Sequence, residues 1–143
     1  MRSIPHRHRW HRFVPVALLA SSISLGLGVQ TALADPVTQL VETLPDSVAA
    51  LSRIPGAEGS PLSFVVVREE TGDRLFIVSS NMASEVTEAR TLSARITGLR
   101  SELDSYGLVA FVDLQTSGGE ETTYELFLEG EDPSAHTFQP ASN

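Results

Sequence analysis

Met82-Ala83-Ser84-Glu85-Val86-Thr87-Glu88-Ala89-Arg90-Thr91-Leu92-Ser93-Ala94-Arg95-Ile96-Thr97-Gly98-Leu99-Arg100-Ser101-Glu102-Leu103-Asp104-Ser105 is the stretch on whose reading the fold turns. Met82, Val86, Ala89, Leu92, Ile96, Leu99 and Leu103 recur at steps of four, three, three, four, three and four. At 3.6 residues per turn these positions form one apolar stripe, so the spacing predicts a single long helix from Met82 to Ser105. Ser80 or Asn81 can cap its start, and Gly107 offers a left-handed stop. Gly98 counts against the helix by about 1 kcal/mol relative to Ala. Three heptads with Ser and Thr at the flanks make a poor coiled coil, so the stripe is expected to pack on the chain's own sheet.

Hairpins flank this stretch on both sides. Ser63 to Glu70 and Arg74 to Ser80 are rich in Val, Ile and Phe and bracket the turn sequence Thr71-Gly72-Asp73. Both strands are apolar on both faces. Downstream, Leu108, Ala110, Val112 and Leu114 alternate with Val109, Phe111, Asp113 and Gln115. After Ser117-Gly118-Gly119, Tyr124, Leu126 and Leu128 alternate with Thr123, Glu125, Phe127 and Glu129.

Upstream, Asp35-Pro36 reads as an N-cap followed by proline at the first helical position. Val37, Leu40, Val41 and Leu44 share a helical face, Pro45 interrupts it, and Val48, Leu51 and Ile54 resume it as far as Pro55-Gly56. A Gly/Ser/Pro-rich connector, Gly56 to Pro61, follows. Residues 130–143 are polar, hold Pro133 and Pro140, and read as a flexible acidic and polar tail.

These elements predict an α+β fold of α-β-β-α-β-β order. A four-stranded antiparallel sheet in spatial order 2-1-3-4 carries the long helix on one face and the N-terminal helix on the other. The domain spans residues 35–129. Val109, Phe111 and Phe127 point away from the long helix and are the candidate interaction or ligand face. That face needs a cover, because exposing large apolar side chains forfeits about 1.5–3 kcal/mol each. The first helix is favoured over a second copy of the chain or an apolar ligand.

The first 34 residues read as an address. Arg2, Arg7, Arg9 and Arg12 precede an apolar run from Phe13 to Val29, which closes on Ala32-Leu33-Ala34. This is the pattern of a secretory signal peptide cut before Asp35. The run is short and diluted by Ser and Gly, which argues against an uncleaved span of about 20 apolar residues. The chain is therefore expected to be exported, to a periplasm or beyond the cell, meeting the membrane only through the segment before cleavage.

All 18 acidic residues follow residue 34, against six Arg and no Lys, a formal charge of −12 for that part of the chain. Such a body repels phosphate backbones and anionic membrane surfaces, so nucleic acid is set aside; a basic protein, divalent cations or no charged partner stay open, and solubility is the favoured reading of the charge. There is no cysteine, hence no thiol nucleophile and no Cys-ligated zinc. His136 is the sole histidine after residue 34 and falls in the expected tail, a poor place to orient a general base. Glu69, Glu70 and Asp73, like Glu120 and Glu121, sit at hairpin turns, where acids serve solubility. The acidic run Glu129, Glu131, Asp132 lacks calcium-loop spacing.

The expectation is thus a secreted or periplasmic non-enzymatic protein-interaction module, of accessory, inhibitor or subunit type. No catalytic residue, metal ligand or cofactor is assigned, and homo-oligomerisation stays open. The alternative is a carrier of a small apolar ligand held between the sheet and the N-terminal helix.

Overall fold

The computed structural model of the protein describes residues 34–142. The signal segment expected over residues 1–34 lies, apart from Ala34, outside the described residues. Two antiparallel sheets account for most of what is described. The first is formed by β1 (Ala50–Pro55), β2 (Ser63–Glu69), β3 (Gly72–Val78) and β4 (Ala83–Glu85), each paired with the next. The second is formed in the same way by β5 (Arg95–Leu103), β6 (Leu108–Gln115), β7 (Glu121–Leu128) and β8 (His136–Pro140). Helix α1 (Pro36–Thr43) precedes the first sheet, and α2 (Thr87–Thr91) lies in the link between the sheets.

Alternation along the strands decides what each face does. In the first sheet Phe64 pairs with Ile77 and Val66 with Leu75, and these side chains are buried on one face. In the second sheet the matching set is Leu108, Ala110, Val112 and Leu114 on β6, with Leu126 and Leu128 on β7. The two sets form one core cluster, so the sheets bury their inner faces against each other as a sandwich. Val86, Ala89 and Ala94, from the link between the sheets, complete that cluster.

The outer face of the first sheet carries Val65, Val67, Phe76 and Val78, which form a second cluster with Leu40 of α1. Val37, Leu44 and Val48 pack around it. The helix starts where sequence chemistry places it. Asp35 Oδ2 accepts a hydrogen bond from the Val37 N–H at 3.2 Å, and Pro36 occupies the first turn. Val41 faces away and is 50% exposed.

The α+β architecture is overturned: no long helix exists among the described residues, and the molecule is mostly β. Residues 82–105 divide into β4, the five-residue α2, and the nine-residue β5. The apolar stripe was a composite. Met82, Leu92 and Leu103 are 37%, 38% and 48% exposed and belong to turns and ends. Ile96 and Leu99 are three apart, as on a helix, yet both face the core, because the strand register shifts between Ile96 and Gly98. Ile96 pairs with Leu114, Gly98 with Asp113 and Leu99 with Val112, so Thr97 is the extra residue of a β-bulge. The bulge converts a helical interval into two inward side chains of one strand. Ser93, with φ of +48°, ends α2 in the left-handed region and turns the chain into β5.

Three further expectations are corrected. Val48, Leu51 and Ile54 do not continue a helix. Pairing begins at the Ala49 N–H, which donates to the Arg68 carbonyl at 2.9 Å, and Ala50–Pro55 is the edge strand β1. The spatial order 2-1-3-4 fails because β1 occupies the free edge of β2, closing it to β6. Residues 130–143 are not a loose tail throughout. His136–Pro140 pairs with β7 as β8, and the Phe138 ring stacks on Tyr124 with centroids 4.8 Å apart.

Candidate functional site

The outer face of the second sheet is the surface that neither the sandwich core nor α1 covers. Strand register lays it out in rows. Glu102, Val109, Phe127 and Thr137 lie side by side across β5, β6, β7 and β8. Arg100, Phe111, Glu125 and Gln139 form the next row, and Gly98, Asp113 and Thr123 the one after it. Val109, Phe111 and Phe127, the face nominated from sequence, are brought together as direct and diagonal neighbours, all half-buried. Their cover is not α1, which sits on the other sheet. The same helix does cover the outward set of the first hairpin.

The rim is polar and partly rigid. The Arg100 guanidinium lies over the Phe111 ring, 5.1 Å from its centroid, and Arg100 Nη1 donates to Asp113 Oδ2 at 2.9 Å. Asp113 Oδ1 accepts from the Thr123 hydroxyl at 2.6 Å. Asp113 thus holds the Arg100 guanidinium over the aromatic ring. Glu102 and Glu125 contribute two further acids to these rows. The arrangement is an apolar centre with an acidic border, and its one cation is already paired.

The space required by a ligand between α1 and its sheet is taken up by Leu40 packed among Val65, Val67, Phe76 and Val78. Beside the helix remains a depression of about 280 Å³, open to solvent and lined by Pro36, Gln39, Leu40, Thr43, Phe76 and Ala83.

Two residues are placed differently from the sequence expectation. His136 is on β8 with its side chain only 8% exposed. Its Nδ1 lies 3.0 Å from the Pro133 carbonyl oxygen and its Nε2 3.5 Å from Glu88 Oε2 of α2. It ties the edge of the second sheet to the link between the sheets. Glu88 is held below the usual carboxylate range, chiefly by its own backbone N–H and further by His136. Among the described residues no group of three or more His, Cys, Asp or Glu side chains could hold a metal ion.

Asp73 is the more consequential miss, because a turn acid read as a solubility residue is 3% exposed. Its Oδ1 accepts from Arg68 Nε at 3.2 Å and Arg95 Nη1 at 2.8 Å. Its Oδ2 accepts from Arg68 Nη2 at 3.0 Å and the Ile96 N–H at 2.9 Å. Arg68 belongs to the same sheet, whereas Arg95 and Ile96 belong to the other, so one carboxylate joins both sheets. Burial pushes its pKa up, but the Arg68, Ile96 and Arg95 donors outweigh burial and hold the carboxyl below its ordinary value. The Asp73 N–H also donates to the Ala94 carbonyl at 2.8 Å. Arg68 and Asp73 face each other across the Glu69–Gly72 turn, a cross-strand charge pair readable in the sequence.

Compared with protein-family models, with curated proteins and with solved structures, the chain shows no significant match.

Proposed function

We propose that the protein is an exported, non-enzymatic interaction module that binds a basic protein partner through the outer face of its second sheet. One observation carries this reading: Val109, Phe111 and Phe127 lie together on that face with no other described element over them, while α1 covers the equivalent face of the first sheet. Apolar centres with polar rims are the usual anatomy of protein interfaces. Acidic rows beside the patch and a charge of −12 after residue 34 favour a cationic partner and would steer its approach. Export rests on the Arg-rich head and the Ala32-Leu33-Ala34 ending.

Photo-cross-linking from positions 109, 111 and 127 in the exporting cell tests the reading. The expected result is an adduct with a basic protein, lost on Phe127→Asp and absent from a control probe at Val41. A self-adduct would overturn the heterologous partner in favour of a homo-oligomer. Adducts arising equally from position 41, or none from the sheet face, would overturn the site. N-terminal sequencing of the exported product should begin at Asp35.

A further inference from the structure

The end of the sandwich where β3 and β5 begin carries a cationic notch that the interaction-face reading does not use. Arg68 and Arg95 both bind Asp73, two guanidinium groups on a single carboxylate, and their side chains remain 49% and 39% exposed. Elsewhere charges balance more closely. Arg74 is gripped by Glu85 and Glu69, Arg90 adds to Glu85, and Arg100 meets Asp113. Among the described residues, the Asp73 site is the one ion-pair cluster with more cations than acids, because Arg74 and Arg90 share Glu85 but are balanced by Glu69.

Arg68, Arg95, Ile96, Thr97 and Gln115 line an open depression of about 580 Å³ at this point. Hydrogen bonds fix the two guanidinium planes. Arg95 Nη1 and Nη2 donate to the Glu69 and Glu70 carbonyls at 2.6 and 3.0 Å, while Arg68 presents Nε and Nη2 to Asp73. Arg68 Nη1 and Arg95 Nε have no acceptor among the described residues, and the Gln115 amide adds a further donor group to the lining. Arginines oriented by a buried acid, with donors to spare, are suited to recognising an oxyanion.

We infer that this notch binds one small oxyanion, a carboxylate or a phosphate group, between Arg68, Arg95 and Gln115. The ligand is small because the surrounding body is anionic, which repels nucleic acid and anionic bilayers but leaves room for one or two charges at a local cation. Of the acids around it, Glu69 is bonded to Arg74 and Asp73 to both arginines, while Glu121 flanks Gln115 on the strand away from Arg95.

The test is a titration of the full chain with acetate and, separately, inorganic phosphate, followed by amide and arginine Nε–H resonances. Sodium chloride at equal ionic strength serves as the control. Saturable shifts at Ile96, Thr97 and Gln115 with a midpoint of about 1–10 mM are expected for at least one anion. Whichever anion saturates at the lower concentration identifies the chemistry as carboxylate or phosphate. Arg68→Gln should weaken binding at least tenfold. Because that change also disturbs the Asp73 contacts, Gln115→Glu provides a second arm: it plants a carboxylate in the notch and should abolish binding with the sheet resonances unmoved. Shifts reproduced by chloride, shifts that never saturate, or binding that survives Gln115→Glu would overturn the inference.

Discussion

Asp73 shows how much one side chain can do when it is buried at the junction of two sheets. Replacing it with Ala strands the Ile96 N–H and leaves Arg68 and Arg95 without a shared acceptor, so stability should fall by about 2–4 kcal/mol. Chemical denaturation of Asp73→Ala against the parent measures this. The pH dependence has a definite sign. The carboxyl is more acidic folded than unfolded, where its pKa is about 3.9. Its contribution is therefore complete above about pH 4–5 and is lost as pH falls through the lower folded value. Denaturation midpoints followed from pH 5 to pH 2 should drop more steeply in the parent than in Asp73→Asn. Gly72 belongs to the same junction. A Cβ placed there would come within 3.0 Å of the Ser93 backbone, so the hairpin turn and the entry to β5 touch only because that side chain is missing.

At the scale of elements, β5 is where local pattern and tertiary structure disagree, and Gly98 separates the two readings by sign. In an exposed helix, Gly98→Ala would stabilise by about 1 kcal/mol. In the bulge, the added Cβ would lie 2.7 Å from Asp113 Oδ2, a carboxylate already held by Arg100 and Thr123. Gly98→Ala should therefore destabilise, by about 1–2 kcal/mol, in thermal or urea unfolding. The edge strand β8 makes a second case. Phe138 packs against the main core and stacks on Tyr124, so Phe138→Ala should cost about 2 kcal/mol. Deleting residues 136–143 should cost more, since β7 would lose its partner strand as well. A tail without contacts would show neither effect in the same unfolding measurement.

The described residues form three layers, α1 on one sheet and that sheet on the other, and no other described element covers the outer face of the second sheet. Deleting residues 35–49 should uncover Val65, Val67, Phe76 and Val78 and yield a protein that binds a hydrophobic dye and aggregates, read by fluorescence and light scattering. Phe127→Ser on the open face should instead change stability by about 1 kcal/mol or less while removing the partner adduct. That contrast between a face needed for folding and a face held for recognition is what the interaction reading requires.

Much of the local structure was decided by local sequence. Asp35-Pro36 starts a helix because a carboxylate accepts from an early N–H and proline needs no donor there. The Val-rich segments around Thr71-Gly72-Asp73 form a hairpin, and the alternation of residues 108–115 with 121–128 forms another. Alternation within that hairpin also places Val109, Phe111 and Phe127 on one face. Tertiary structure decided the rest. A seven-position stripe with steps of three and four is helical only if the backbone stays regular, and one extra residue at Thr97 lets Ile96 and Leu99 share a strand face. The pairing of β5 with β6 over eight registers outweighs the local helical preference, because each strand both completes the other's hydrogen bonds and buries its apolar side. The solvation of Asp73 was likewise settled by distant residues. Arg95 and Ile96 come from the other sheet, and a turn acid becomes a buried anchor only once the two sheets have closed.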